Sequence, residues 1–503
     1  MQTDRRGFMH FLAGTAAWLM GGSANALEPV WTSEIHMQTR NTLLGPVGRK
    51  WWPVSRKARR TKAYTGHERI ALPAPASPGA RSLADVIGDF RAADGFANRA
   101  LGLTDLSRLL HFTNGVTEPP ILRAAPSAGA LYAGEIYVVA ERVTGLEPGV
   151  YYYAPLSHAL VPIRQAQGID AVSRALERPG LVAGAPLVVL LTNVFGRYGW
   201  RYANRGYRYA LIDTGHIGAN LRLVARSARL VDTAMLRFHD ERLNSLLGID
   251  GRREAVCAIH AVGHPGKTTP SPVVRTFAEA RNAPAGWGDT ERYHANTRLA
   301  EVAQGTSKGP VLTPRGLNTV DTLRPEMSVE DSIRNRRSAS HFEDRVMQRD
   351  ALEWILDAAV GQPALSPVGE VELLLAVHRV AAVAPGLYRY EPNGARLVLM
   401  RKADLRGQLV RTCLGQDKAG SCAVAFFGVG NLQHASETLG DRMYRDLLIE
   451  AGGIGQRIYL AAEAAGFAAR NLAAFRDDAL NHLLDLDGRK RAVLHLTLAG
   501  RES

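Results

Sequence analysis

Two stretches of this chain carry side chains that could take part in chemistry. Arg201–Tyr209 (RYANRGYRY) places an arginine beside a tyrosine, Arg201 and Tyr202. A tyrosine can donate or relay a proton, whereas an arginine stays protonated and can only stabilise negative charge. Arg336-Arg337-Ser338 offers two guanidiniums and a hydroxyl, which suits bidentate contacts to a phosphate. Plainer interpretations are a packed tyrosine and a solvated basic helix end.

A third stretch, Arg123–Ala140 (RAAPSAGALYAGEIYVVA), could hold something flat. A turn of small residues precedes an apolar segment that is typical of a buried strand. The residues of this turn are Pro126, Ser127, Ala128 and Gly129. Gly129 would let the backbone approach a ligand closely, and the backbone amides of its neighbours could donate hydrogen bonds to the edge of the ligand. Arg123 could supply positive charge there, although a surface salt bridge would explain it equally well.

An internal repeat supplies the elements that must position these motifs. Ser82–Ile87 matches Ser328–Ile333 at an offset of 246 residues. Three later matches share an offset of 237 residues: Pro148–Tyr151 with Pro385–Tyr388, Tyr207-Arg208 with Tyr444-Arg445, and Leu243-Asn244 with Leu480-Asn481. Chance is a poor explanation for one register held over so many identities, so we interpret the chain as two copies of one domain.

Each copy predicts an α+β domain with a mixed central sheet flanked by helices. The predicted divisions are a signal peptide (1–26), an irregular basic extension (27–80), copy one (81–263), a linker or lid (264–325) and copy two (326–503). The longest predicted helices, at about 207–228 and 443–465, occupy equivalent places in the two copies. Gly215 and Gly218 would let another helix approach one face of the first.

Together, the loop at Arg123–Ala140, GYRYALIDTGHIGANL at Gly206–Leu221 and RRSASHF at Arg336–Phe342 resemble the nitroreductase superfamily of FMN enzymes. Within it they are most similar to the SagB-type azoline dehydrogenases, and the resemblance extends from about Ser82 to the C-terminus. In that family two domains pair through their long helices, and FMN lies in the seam between them. The resemblance therefore implies an intrachain pseudo-dimer, with no need for a second chain.

The resemblance also implies that one of the two seams has been lost. In the first seam, Arg336, Arg337 and Ser338 would hold the phosphate, and the Pro126–Gly129 turn with Arg123 would hold the ring. The family's further basic residue is missing at Ser340. In the second seam Phe90-Arg91-Ala92 replaces the Arg-Arg-Ser pattern, and Pro363–Pro367 lacks the Ser-Ala-Gly turn. We therefore expect one FMN per chain.

For catalysis the resemblance points to Arg201 and Tyr202, because azoline dehydrogenases carry a Lys-Tyr pair there. The leading hypothesis is hydride transfer between an organic substrate, either a small molecule or a modified peptide, and FMN N5. Dioxygen or another acceptor would then reoxidise the flavin. A nitro- or quinone-type reductase is one alternative, and a degenerate, non-catalytic binding or scaffold protein is another. For His216, on the first long helix, we predict a hydrogen-bonded place at a helix interface.

The N-terminus predicts export. Asp4–His10 (DRRGFMH) is close to the twin-arginine pattern, Phe11–Met20 is apolar, and Ala24–Ala26 offers a small-residue cleavage site. Tat export carries folded proteins, so a cofactor could be loaded before transport to the periplasm. The periplasm lacks a nicotinamide pool, which argues against NAD(P)H as electron donor. No other stretch has the roughly 18 unbroken apolar residues that a membrane span needs.

Composition narrows the remaining classes. The chain has 503 residues and a net charge of +13. Its content of hydrophobic residues, 46%, is typical of globular proteins. Its densest basic patch, Arg49–Lys62, has no accompanying nucleic-acid motif, so we predict a solvated arm and no nucleic-acid partner. The three cysteines have no metal-ligand spacing. We predict Cys257 in the core and leave open whether Cys413 and Cys422 pair.

Overall fold

The computed structural model describes residues 30–42, 45–46, 58–64, 66–77, 79–90, 94–165, 168–176, 178–267, 323–361, 371–439 and 442–503. The predicted signal peptide lies outside these ranges and stays a prediction. Most of the predicted linker or lid, 264–325, also lies outside them. No helix within the described ranges is long and apolar enough to cross a membrane.

Copy one and the extension before it contain eleven strands and seven helices among the described residues. The helices are α1 (Val30–Gln38), α2 (Leu83–Gly88), α3 (Leu103–Asn114), α4 (Ile169–Ser173), α5 (Gly196–Tyr202), α6 (Gly206–Ser227) and α7 (Asp240–Leu247). The strands are β1 (Asn41–Thr42), β2 (Gly45–Pro46), β3 (Ile70–Ala71), β4 (Val116–Glu118), β5 (Leu122–Arg123), β6 (Gly134–Ala140), β7 (Gly149–Ala154), β8 (Ala159–Gln165), β9 (Leu187–Val194), β10 (Val231–Met235) and β11 (Glu254–Gly263). Seven of these strands form one sheet in the order β10-β11-β9-β6-β7-β8-β3.

Copy two repeats this plan. Its helices are α8 (Val329–Asn335), α9 (Arg349–Val360), α10 (Arg406–Thr412), α11 (Lys418–Ser421), α12 (Leu432–Leu439), α13 (Met443–Ala464) and α14 (Asp477–Leu483). Its strands are β12 (Val371–Val377), β13 (Gly386–Glu391), β14 (Arg396–Lys402), β15 (Val424–Asn431), β16 (Ala468–Asn471) and β17 (Arg491–Gly500). They form a six-stranded sheet in the order β14-β13-β12-β15-β17-β16.

The predicted α+β class and tandem duplication are confirmed, but the sheets are antiparallel where we expected mixed ones. Every pairing between the strands labelled above is antiparallel. The long helix α6 connects β9 to β10, and these two strands run in the same direction. The last strand, β11, lies between them, so the two co-directional strands never touch.

The sequence repeat corresponds to equivalent local structures. Ser82 and Ser328 each cap a helix by accepting a hydrogen bond from the amide three residues on. They also form a β-bridge with each other across the copies. Asn244 and Asn481 each accept from the backbone amide of the final strand, at Val256 (3.0 Å) and Val493 (2.9 Å). The matched residues are therefore structural, which explains why both copies keep them.

The two copies pack through their long helices, α6 and α13. A Cβ at Gly215 would lie 2.0 Å from Ile449 O, and one at Gly452 would lie 2.1 Å from Ile212 O. Only glycine permits this backbone approach. Our prediction for Gly215 is confirmed, whereas that for Gly218 was wrong. A Cβ at Gly218 would lie 3.1 Å from Nε2 of His260 on β11, so Gly218 allows the helix to pack closely against the sheet.

Buried ion pairs join the copies at two equivalent places. Arg205 and Arg208 of copy one both bind Asp477, at 2.5 and 2.6 Å. Their counterparts in copy two, Arg442 and Arg445, both bind Asp240. All six side chains are less than 5% exposed, so each carboxylate balances two buried cations.

Of the basic patch that we predicted to be a solvated arm, Arg49–Lys62, residues 49–57 lie outside the described residues, and Lys62 at its end is not solvated. Lys62 Nζ lies 2.5 Å from Glu254 Oε2, and this lysine side chain is 3% exposed. Three tyrosine rings surround the ammonium group at 5.2 to 5.9 Å, namely those of Tyr64, Tyr137 and Tyr152. Cation–π attraction and the carboxylate together offset its desolvation.

Cys257, Cys413 and Cys422 are all buried free thiols, which confirms Cys257 as a core residue.

Candidate functional site

A cleft between the two copies has a cavity volume of about 130 Å³. Copy one lines it with Pro126, Ser127, Ala128, Gly129, Tyr209, Ile212, Asp213 and His216. Copy two lines it with Ser338, Tyr459, Arg470, Asn471, Ala473 and His495. The structure therefore brings the Pro126–Gly129 turn of one copy and Ser338, the last residue of the Arg-Arg-Ser element of the other, to the same cleft.

The turn in copy one has an unusual backbone. Gly129, Ala130 and Tyr132 all have positive φ, at 62°, 51° and 50°. This conformation is strained for Ala130 and Tyr132 because they are not glycines, and such strain is typical of ligand-binding turns. Ser127 holds the turn in place because its Oγ accepts a hydrogen bond from the Tyr132 amide at 2.8 Å. The same oxygen lies 2.6 Å from the hydroxyl of Tyr198.

Arg336 is a buried cation beside this cleft. It is 6% exposed, and its guanidinium lies 5.3 Å from the ring centroid of Tyr459, a cleft residue. Its Nε is buried without a hydrogen-bond partner. Among the described residues no carboxylate forms an ion pair with it, and Glu463 acts on its charge only from beyond that distance. Burial is the larger effect and lowers the pKa of Arg336. A buried guanidinium of this kind suits an anionic ligand such as a phosphate.

The other predicted cofactor residues differ in their surroundings. Ser338 lines the cleft and hydrogen-bonds the Tyr459 hydroxyl at 2.7 Å. Arg337 forms a half-exposed ion pair with Glu118 of copy one, at 2.5 Å. Arg123 is buried and donates to the carbonyls of Gly134 (3.2 Å) and Arg60 (3.3 Å). In the structure Arg123 thus supports the backbone around the turn and does not line the cleft.

The predicted catalytic pair lies against the turn. A Cβ at Gly129 would be 2.5 Å from the Tyr202 hydroxyl and 3.1 Å from Arg201 Nη1. The guanidinium of Arg201 lies 5.4 Å from the Tyr202 ring centroid. Burial raises the pKa of Tyr202 to about 12, with Arg201 acting in the opposite direction. The phenol is therefore protonated at neutral pH, and both side chains present hydrogen-bond donors.

A polar network that the sequence interpretation missed extends from the wall of the cleft, where Asp213, His216 and Asn471 lie. Tyr198 donates to Asp213 Oδ2, and Asp213 Oδ1 lies 3.6 Å from His216 Nδ1. His216 Nε2 lies 2.8 Å from the amide of Asn471 in copy two. The predicted interface position of His216 is thus observed. Its copy-two counterpart is Gly453, so a comparison of the two copies could have shown this polar residue to be special.

The second seam has the reverse arrangement of cation and ring. At the position equivalent to Arg336 stands Phe90, and at that equivalent to Tyr459 stands Arg222. The guanidinium of Arg222 lies 4.7 Å from the Phe90 ring centroid. Here the protein supplies the counter-charge itself, because Arg222 pairs with Asp232 at 3.2 Å. The charge at this seam is balanced by an ion pair, whereas Arg336 has no ion-pair partner among the described residues. Of the two segments in which we predicted the second site to be lost, Phe90-Arg91-Ala92 and Pro363–Pro367, all but Phe90 lie outside the described residues.

Comparison with known proteins gives a consistent result. Residues 95–264 and 333–501 each match the Nitroreductase family. Nitroreductase MJ1384 of Methanocaldococcus jannaschii is 33% identical over 167 residues, covering 33% of this chain and 84% of that protein. The microcin B17-processing protein McbC of Escherichia coli is 29% identical over 179 residues, covering 32% of this chain and 62% of McbC. A crystal structure of a nitroreductase from Anabaena variabilis superposes with a TM-score of 0.74 at 25% identity, covering 94% of this chain and 99% of that one. The chain belongs to the nitroreductase family.

Proposed function

We propose that this protein is an FMN-dependent oxidoreductase that moves a hydride between an organic substrate and flavin N5. The observation that carries the proposal is the buried guanidinium of Arg336, which has no ion-pair partner among the described residues and lies beside a cleft walled by a strained turn of small residues. Membership of a family of flavin oxidoreductases supports it. Arg336 and Ser338 would bind the phosphate, and the Pro126–Gly129 turn would contact the ring.

The chain's own residues would have separate tasks in such a reaction. Bound FMN would supply the hydride acceptor or donor. Arg201 would hold negative charge on the substrate, because a guanidinium does not act as a base. Tyr202 would give a proton to a substrate that is being reduced, since its raised pKa keeps it in the donor form.

The names of two relatives suggest a substrate class. McbC is a microcin B17-processing protein, and TfxB of Rhizobium leguminosarum, 32% identical over 133 residues, is a trifolitoxin-processing protein. We propose a modified peptide or a small molecule of related chemistry as the substrate. The arginine at position 201, in place of the lysine of azoline dehydrogenases, keeps a nitro- or quinone-type reductase as the second candidate.

Stoichiometry provides the first test. The full chain, reconstituted with FMN and desalted, is expected to be yellow and to retain one FMN per chain, measured from flavin absorbance after denaturation. Two FMN per chain would contradict our account of the second seam, with its internal Arg222–Asp232 pair. A colourless protein that rejects FMN would overturn the proposed function and favour a scaffold.

Tyr202→Phe tests the proposed proton donor. We expect this change to leave the FMN dissociation constant unchanged and to slow reoxidation of the reduced flavin by a quinone about 10- to 100-fold, because a general acid is lost. Tyr209→Phe is the matched control, since Tyr209 lines the same cleft but donates to the carbonyl of Ala473. Equal rates for both variants in stopped-flow absorbance would rule out the role of Tyr202.

A further inference from the structure

The two sheets differ at one edge, although the strands that form it occupy equivalent places. β8 in copy one and β14 in copy two are related by the offset of 237 residues, and each is the outer strand of a hairpin. In copy one the extension covers this edge, because β3 pairs antiparallel with Ala159 and Leu160 of β8. β14 is the last strand of its sheet, and no described strand pairs with its outer side.

The uncovered edge leaves apolar side chains in solvent. Three apolar residues of β8 are at most 3% exposed, namely Leu160, Val161 and Ile163. On β14 the adjacent residues Leu399 and Met400 are 48% and 44% exposed. An exposed apolar edge strand promotes pairing with another chain, and proteins usually block such edges. Copy one blocks its edge with β3, whereas the described residues provide no such strand for copy two.

One difference between the copies concerns the backbone of the edge strand. The residue of β8 equivalent to Leu399 is Pro162, and the two stand opposite equivalent tyrosines of the neighbouring strand, Tyr388 and Tyr151. Proline has no N–H, so this position of β8 donates no hydrogen bond to β7. The amide of Leu399 is therefore not needed by β13 and can donate to a strand on the open side. Copy two thus keeps a hydrogen-bond donor at a position where copy one has none.

Positive charge flanks the apolar middle of β14. Arg389 and Arg396 share one carboxylate, that of Glu391, at 2.7 and 2.8 Å. At the other end Lys402 is exposed and forms no ion pair with the described residues. Two chains paired antiparallel about Leu399 would place Arg396 of each opposite Lys402 of the other, and like charges directly opposite are destabilising. The charges therefore disfavour a second copy and favour an acidic segment.

We propose that β14 binds an extended, acidic polypeptide segment of a partner, which adds to the sheet as a further antiparallel strand. The pairing of β3 with β8 supplies the geometry. Main-chain hydrogen bonds would provide affinity, Leu399 and Met400 would contact apolar side chains of the partner, and the flanking cations would select acidic sequences.

This surface is separate from the cleft between the copies. β14 lies at the opposite end of the six-stranded sheet from β16, whose Arg470 and Asn471 line the cleft. Neighbouring strands are about 4.8 Å apart, so the five spacings between β14 and β16 amount to about 24 Å. A segment bound at β14 leaves the cleft open, and the proposal does not rest on FMN chemistry.

Two fluorescein-labelled peptides test the selection of charge. Both contain Ile-Ala-Leu, the sequence of β3 and the residue after it, in an acidic form (EEIALEE) and a basic form (KKIALKK). In fluorescence anisotropy with the full chain we expect the acidic peptide to bind about tenfold more tightly at low salt, and salt to reduce the difference. The double variant Arg396→Glu, Lys402→Glu should reverse the preference. Equal affinities, no binding of either peptide, or a preference that the double variant leaves unchanged would overturn the proposal.

Leu399→Pro tests the backbone contact. It gives β14 the residue that β8 already accommodates, so the fold should tolerate it, as urea unfolding would show. We expect it to weaken binding of the acidic peptide about tenfold, because it removes a main-chain donor and its ring hinders a further strand. Leu399→Val keeps the amide and should bind as the wild type. Equal binding by the two variants would contradict strand addition.

Other occupants of this edge predict different results for the chain alone. We expect a monomer in light scattering and fast hydrogen exchange at residues 396–402, which the acidic peptide slows. A dimer that Leu399→Pro dissociates would assign the edge to a second copy, and slow exchange without peptide would assign it to the chain itself. Either result would overturn the proposal. A chain that binds the acidic peptide but no FMN would support it and refute only the proposed function.

Discussion

Arg336→Met is expected to weaken FMN binding about 100-fold, which corresponds to about 3 kcal/mol, the loss of one or two hydrogen bonds to a charged group. The same change should not lower the stability of the apo protein. Arg336 is buried without an ion-pair partner among the described residues, and the more distant Glu463 does not offset its desolvation, so this charge costs stability when the ligand is absent. FMN fluorescence quenching and urea unfolding of the apo form measure the two effects.

Arg337→Met is the matched control. The side chain of Arg337 is the same length and adjacent in sequence, but its guanidinium pairs with Glu118 at the surface. We expect its loss to change FMN affinity no more than about threefold, because half-exposed ion pairs contribute little. Equal effects of the two variants would show that the burial of Arg336 is irrelevant, and an unchanged affinity in Arg336→Met would place the phosphate elsewhere.

The fold could be predicted because duplication leaves a regular trace in sequence. Ser82 and Ser328, or Asn244 and Asn481, do the same local work in both copies, so their spacing identified the repeat. Strand direction was less accessible. It depends on β11 entering between β9 and β10, which is a long-range pairing with no local signature.

The site was only partly predictable, for a related reason. Motifs carried by one short segment, such as the turn around Gly129 or the Arg201-Tyr202 pair, could be recognised, and the structure places them together. The polar network at the cleft wall joins residues from several elements, including Asn471, which is distant from His216 in sequence. No single segment contains enough of it to form a motif.

Differences between the copies carry the missing signal. Four polar residues of the cleft region have small or apolar counterparts in the other copy. These pairs are Tyr198 and Ala435, His216 and Gly453, Asn471 and Ala234, and Arg336 and Phe90. Residues required by the shared fold are kept in both copies, whereas residues required by one site need be kept only once. In a duplicated chain, asymmetry is therefore a guide to function and identity is a guide to structure.

Asp477→Asn is expected to destabilise the chain by about 3–5 kcal/mol, the usual cost of removing one partner from a buried ion pair. Asp477 accepts hydrogen bonds from Arg205, Arg208 and the Asn41 amide, at 2.5 to 2.8 Å. An amide would leave two buried guanidiniums without a counter-charge at the junction of the copies. Asp478→Asn is the control, because Asp478 is 64% exposed and pairs only with the surface residue Arg40. In urea unfolding, the decrease in the free energy of unfolding should be several times larger for Asp477→Asn than for Asp478→Asn.

The pH dependence of this loss distinguishes charge from shape. Burial alone would raise the pKa of Asp477, but Arg205 and Arg208 outweigh it and hold the pKa below its usual value. A lowered pKa contributes stability that is present above the pKa of the unfolded chain and disappears as pH falls through that of the folded one. The wild type should therefore lose its advantage over Asp477→Asn in acid, and the two unfolding curves should converge. If the difference between them stayed constant with pH, the destabilisation would come from packing, and the buried charge would not be what joins the two copies.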